Sequence, residues 1–182
     1  MNRPVQPESS ANTQESGLAK LQTKADQGDA DAQFGLGLHY AARGDAPDLV
    51  QSAQWYRKAA DQDHALAQYN LAVMFAWGQG VPQDDAEAAD WIRKAAEGGD
   101  AGGQYKLGVR CHRASVDPLR PGADESRIEA YKWLHLAAAQ GYRDSTLACQ
   151  RVTVGMSRAE VHEGKRRAVA FAVRKPASLQ AQ

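Results

Sequence analysis

Five histidines and two cysteines are the side chains best suited to acid–base, nucleophilic or metal chemistry: His39, His64, His112, His135, His162, Cys111 and Cys149. Such chemistry needs several of these groups aimed at one point, and their spacing argues against it. The histidines are scattered one per element, and His162-Glu163 opens no recognisable motif. Cys111 and His112 are neighbours, which a helix points about 100° apart, so one ion does not easily take both. The histidines read as surface or core-edge residues. The cysteines have no CxxC spacing and are too few for a disulfide scaffold. They read as small buried hydrophobes, although a contact between them is geometrically conceivable. GxSxG, SxxK, the P-loop and HExxH are all missing. Gly35-Leu36-Gly37 opens a GxGxxG that fails at Tyr40 and lies inside a helix. The expectation is a protein that is not an enzyme, with no catalytic, cofactor-binding or metal residues.

Charge gives one further lead. Lys plus Arg equal Asp plus Glu at 22 each, so no net field draws the chain to nucleic acid or anionic lipid. The balance is uneven: from Tyr142 onward there are eight basic and three acidic residues. The stretch GKRRAVAFAVRK (164–175) could touch an acidic partner or nucleic acid. It has too few aromatic residues for a base-stacking platform and reads as the polar face of a capping helix plus a tail. Nucleic acid is therefore a disfavoured partner. No run approaches about 18 apolar residues, so no membrane span is expected. The first residues, MNRPVQPESSANTQES, lack the apolar core of a signal peptide. Cytoplasmic placement, reduced thiols and a monomer are the expectations.

What positions these residues is a repeat. WYRKAADQD (55–63), WIRKAAEGG (91–99) and WLHLAAAQG (133–141) place tryptophans 36 and 42 residues apart. Ala32-Gln33, Ala67-Gln68 and Gly103-Gln104 move with them, followed by Leu36, Leu71 and Leu107. A small residue comes next (Gly37, Ala72, Gly108), then Tyr40, Phe75 or Cys111. Such a period points to stacked supersecondary units. Each unit reads as two helices. In the first, Leu36, Gly37 and Tyr40 share a face; in the second, Trp55 shares a stripe with Ala59 and Ala60. Large against small suits helices interlocking at short distance. The turns hold breakers, GDAPD (44–48) and GQGVPQDD (78–85). Capping boxes are expected at Asp48/Gln51, Ser126/Glu129 and Ser157/Glu160.

The run AQYNLAVMFAWGQGVPQDDAEAADWIRKAAEGG, Ala67 to Gly99, resembles a Sel1-like repeat, a relative of the tetratricopeptide repeat with a longer, glycine-containing turn. The resemblance covers roughly Leu18 to Phe171 and is most specific in the second unit. The first unit lacks the Gly78-Gln79-Gly80-Val81 turn, and the third replaces it with RASVDPLRPGADES. The fold implied is all-α, an α-solenoid (right-handed superhelix) of helix-turn-helix repeats. Its expected parts are a disordered segment 1–15, an N-terminal capping helix 16–29, repeats at 30–63, 64–99 and 100–141 with an inserted loop 113–126, a C-terminal helical cap 142–173 and a flexible tail 174–182. Long loops in such arrays can be binding devices, although a tolerated insertion is the simpler account of 113–126.

The implied function is a non-catalytic adaptor, commonly bacterial, that binds another protein. Positions two before and two after each signature leucine lie about 200° away from it. They hold Phe34 and Leu38, Tyr69 and Val73, Tyr105 and Val109. In tetratricopeptide arrays the corresponding positions line a concave groove, to which the resemblance adds Trp77, His112 and Arg113 near its end. A peptide or amphipathic helix of the partner would lie there. The competing account is that the aromatics pack against the next helix. A small-molecule binder or hydrolase-like enzyme using the same groove, and nucleic-acid contact through the C-terminal helix, are the alternative functions.

Overall fold

The computed structural model describes residues 9–116 and 122–174, with side chains from residue 17 onward. The described residues form helices and no strand: α1 (Ser9–Asp26), α2 (Ala30–Arg43), α3 (Ala46–Ala60), α4 (Ala65–Trp77), α5 (Asp85–Gly98), α6 (Ala101–Ser115), α7 (Ala123–Ala139), α8 (Ser145–Val154) and α9 (Arg158–Arg174). The all-helical expectation holds. The first helix begins at Ser9, earlier than the expected start at residue 16. Residues 1–8, 117–121 and 175–182 lie outside the described residues, so most of the expected tail and the middle of the 113–126 insertion do too. The chain divides into two compact units between Ala88 and Ala89, inside α5.

One device recurs at the start of α2, α4 and α6. The residue before each helix accepts a hydrogen bond from the third backbone N–H onward: Asp29 from Ala32 at 2.7 Å, His64 Nδ1 from Ala67 at 3.1 Å, and Asp100 from Gly103 at 2.6 Å. These caps satisfy N–H groups that the first turn leaves without partners. One residue further on, a buried glutamine reaches back to the end of the preceding helix. Gln33 Nε2 donates to Ala25 O at 3.1 Å, Gln68 to Ala60 O at 3.1 Å, and Gln104 to Ala96 O at 3.4 Å. The Ala-Gln and Gly-Gln landmarks are therefore the joint between successive helices.

In the unit that ends at Ala88, the small residue after the signature leucine lets α2 and α3 approach. A Cβ on Gly37 would run into the Tyr56 ring. Ser52, fully buried on α3, donates to Gly37 O at 2.8 Å across the same contact. Ala25, Ala32, Leu36 and Trp55 form the core, with Leu21 and Tyr40 packed against it. Gly44 ends α2 in the left-handed region at φ 77°, and Gly78 ends α4 at φ 65°. Gly80 has φ 67°, and a Cβ there would strike the Leu49 carbonyl, so the glycine-rich turn is pressed onto α3.

In the other unit, Gly108 plays the part of Gly37: a Cβ there would stand 2.7 Å from Leu134 Cγ, so α6 lies close on α7. Leu107, Ala96 and Trp133 form one cluster, and Ala130, Tyr131, Leu134 and Val152 another. The last helix packs on α7 through Gly164 against Tyr131 and Phe171 edge-on to Trp133 at 5.1 Å.

Of the three expected capping boxes, Ser157/Glu160 forms in both directions, at 2.7 and 3.3 Å. The other two are corrected. Asp45 caps α3, accepting from Asp48 N at 3.1 Å, because Pro at the first turn starts the helix earlier. Asp48 then sits inside the helix and pairs with Arg43. The seventh helix begins after Gly122, which leaves Ser126 within it.

Candidate functional site

The expected groove residues separate into two behaviours. In the unit that ends at Ala88, Phe34 is half-buried, its ring 4.6 Å from and stacked on His64 and 5.8 Å from Tyr56. It belongs to the packing between consecutive helix pairs. Leu38 on the same helix is 47% exposed, and Trp77 at the end of α4 is 74% exposed. Tyr69 and Val73 are half-buried on α4. Val73, Asn70 and Met74 line a depression of about 270 Å3, with Ala41 and Gly44 from the end of α2, and Leu49 and Tyr56 from α3. Burial raises the Tyr56 phenol above its ordinary value, so it stays neutral in that wall. The depression combines apolar surface with the Asn70 amide, whose Nδ2 donates to Leu66 O at 3.0 Å.

In the unit that begins at Ala89, Tyr105 and Val109 pack onto the Ala130–Tyr131–Leu134–Val152 cluster, and Tyr105 lies 5.5 Å from Tyr142. These two serve the core. His112 is half-buried, and its Nδ1 has no hydrogen-bond partner among the described residues. Arg113 is exposed and lines a second cleft, of about 440 Å3, with Arg93, Arg110, Leu107, Cys111, Ala114 and Ser126. The resemblance that added Arg113 did not include Arg93 or Arg110. Arg93 is on α5, and only the fold brings it beside α6.

The groups singled out for chemistry do structural work or stand apart. His64 caps α4, with Nε2 3.2 Å from Asp31. His135 stacks on Tyr131 at 5.6 Å, His39 meets Tyr40 edge-on at 5.4 Å, and His162 is exposed. Among the described residues no group of three His, Cys, Asp or Glu side chains is placed to hold a metal. Cys111 and Cys149 are both free thiols beside one cluster, and burial is the main cause that pushes both above the usual thiol range. A thiol held protonated is a weak nucleophile. No helix among the described residues is long and apolar enough to cross a membrane.

Paired helices joined by the same cap, the same glutamine and the same leucine–small step define a helical repeat protein. The Sel1 repeat family model matches residues 30–64, 65–100 and 101–142. The chain belongs to the Sel1 repeat family. The crystal structure of c5321, a protective antigen present in uropathogenic Escherichia coli strains and displaying an SLR fold, is 26% identical, with a TM-score of 0.71 over 92% of this chain. The chain spans only 35% of that antigen's length. The crystal structure of a Sel1 repeat protein from Oxalobacter formigenes is 30% identical, with a TM-score of 0.60, over 74% of this chain and 98% of that one. No curated protein matches the chain.

Proposed function

We propose that this protein is a non-catalytic adaptor that holds a peptide or amphipathic helix of another protein on the faces of its first helices. The observation that carries this reading is the depression between α2 and α4. There Val73 and Asn70 of α4 line one recess together with Ala41 of α2 and with Leu49 and Tyr56 of α3. A recess that combines apolar side chains with side-chain amides suits a peptide: methylene and methyl groups meet the apolar part, and an amide meets a backbone group. Exposed Leu38 and Trp77, on the same two helices, add apolar area of the kind that anchors partners. Family membership supports the adaptor role, and both solved relatives come from bacteria, which favours a bacterial setting. Phe34, Tyr105 and Val109 enter the proposal as supports of the face rather than as contacts.

The test is affinity capture from the source organism with the wild-type chain and with Val73→Glu, each identified by mass spectrometry. A partner held by the wild type and lost by a folded Val73→Glu supports the reading. The same partners on both overturn it.

A further inference from the structure

The cleft that contains Arg113 has a chemistry of its own. Arg93 projects from α5, and Arg110 and Arg113 stand three apart on α6, a spacing that puts their side chains on one side of the helix. Among the described residues no acidic side chain lines the cleft. None of the three guanidinium groups has an ion-pair partner among the described residues, whereas Arg127, Arg166 and Arg167 in the same unit are each paired. The carboxylate that acts on the neighbouring Cys111 is Glu129, and it is engaged by Lys132 at 3.1 Å and Arg167 at 2.9 Å. Three cations that no described carboxylate pairs repel one another, and an arriving anion relieves that repulsion.

We propose that this cleft receives the carboxylates of an acidic segment of a protein partner. The proposal rests on the adaptor reading and gives that partner a chemical character. Each guanidinium offers a planar fork of donors that matches a carboxylate. Leu107, Cys111 and Ala114 also line the cleft and offer apolar surface to the methylenes of Glu or Asp side chains, and Ser126 adds a hydroxyl. Among the described residues no aromatic ring lines the cleft, and a nucleic-acid base would need one to stack on.

The experiment uses the full chain and a fluorescein-labelled hexaglutamate peptide, read by fluorescence anisotropy at low and high salt. The wild type should bind at low salt and release the peptide as salt rises. Arg93→Gln/Arg110→Gln/Arg113→Gln should lose roughly tenfold or more in affinity with an unchanged circular dichroism spectrum, because exposed side chains are removed. A triple Arg→Lys variant keeps the charge but not the fork, and should fall between the two. Arg151→Gln/Arg158→Gln, exposed positions elsewhere in the unit, should bind as the wild type does. No wild-type binding, equal binding by the Gln triple, or equal competition by inorganic phosphate or an oligothymidylate would each overturn the proposal. Val73→Glu should leave peptide binding intact, so failure at this cleft and failure at the α2–α4 depression read out separately.

Discussion

Gln62 donates its side-chain amide to Gln33 Oε1 at 2.7 Å, while Gln33 in turn donates to Ala25 O. Gln140 completes Gln104 in the same way, at 2.9 Å. Each of these donors follows its repeat's tryptophan, Trp55 or Trp133, by seven positions; the position seven after Trp91 is Gly98, which has no side-chain donor. Gln68, only 2% exposed, keeps its bond to Ala60 O but has a buried Oε1 with no hydrogen-bond partner among the described residues.

Removing a satisfied group and removing an unsatisfied one have different consequences. Gln33→Leu breaks two hydrogen bonds and should cost about 1–2 kcal/mol, partly because the Gln62 amide loses its acceptor. Gln68→Leu breaks one bond of equal length but also removes an orphaned carbonyl, so it should be nearly neutral. Urea unfolding of the two variants measures the difference. Equal losses would mean that the orphaned oxygen costs nothing.

Trp91 and Ala95 are both buried, and Lys94 lies over the Trp91 ring at 3.9 Å. The same cation–ring contact recurs at Lys58 over Trp55 and Lys132 over Trp133. Trp91→Ala should cost about 3–5 kcal/mol through the cavity it leaves. Ala95→Leu should cost about 1–3 kcal/mol by overpacking. Thermal melts that match the wild type for both would discard the interlocked stripe.

The close approach of α2 and α3 predicts a coupled pair. Gly37→Ala alone places a methyl group in the Tyr56 ring and should cost about 1–3 kcal/mol. The second repeat carries Ala72 and Ile92 at the two equivalent sequence positions. Gly37→Ala/Tyr56→Ile should therefore be less damaging than the sum of its singles, with a coupling of about 0.5–3 kcal/mol. Strict additivity in denaturant melts would show that Tyr56 is not what excludes the methyl.

The last helix is held to α7 by ion pairs that set a pH response. Arg167 pairs with Glu125, Glu129 and Glu163, and Arg127 with Glu160. The Arg167 guanidinium holds Glu125 below the usual carboxylate range; Arg166 and Arg167 lower Glu163 to about 2; the Ser157 backbone N–H is the main cause for Glu160. Depressed carboxylates contribute stability that is present above their unfolded values and lost as pH falls through the folded ones. Docking of α9 should therefore weaken as pH falls below the ordinary carboxylate value of about 4.5. Glu125 and Glu160 carry that loss because they pair across to the partner helix, whereas Glu163 pairs within α9. Trp133 fluorescence, sensitive to the Phe171 contact, should follow that loss, and Arg167→Met should flatten it.

Much of the fold was legible because a repeat prints its period in the chain. Leu36, Leu71 and Leu107, their small followers and the three tryptophans mark helices that the structure contains. The role of the glutamines was not legible: each acceptor is the carbonyl eight residues back, available only once the preceding helix has ended there. Asp48 had capping-box spacing, but Pro47 started the helix sooner and gave the cap to Asp45. On the candidate face, periodicity identified apolar positions and could not say what covers them. His64 and Tyr56 cover Phe34, and Tyr142 lies against Tyr105, all from elements distant in sequence. The arginine cleft was hidden for the same reason.

Tyr69 and Val73 carry the sharpest test of the adaptor role. Both are half-buried on α4, and Val73 lines the depression toward α2. A carboxylate introduced where water still reaches costs little, whereas one stranded in a core costs several kcal/mol. Tyr69→Glu and Val73→Glu should therefore keep nearly the wild-type helicity and melting temperature and lose partner capture. The paired controls are Leu36→Glu, which puts the charge at a fully buried position and should unfold the repeat, and Leu147→Glu, which alters an exposed apolar residue of α8 and should leave capture unchanged. Melting curves from the same preparations used for capture distinguish the possibilities. If Tyr69→Glu melts as early as Leu36→Glu, the ring is core and the binding face does not include it. If both α4 variants stay folded and still capture the partner, the depression is not where the partner binds.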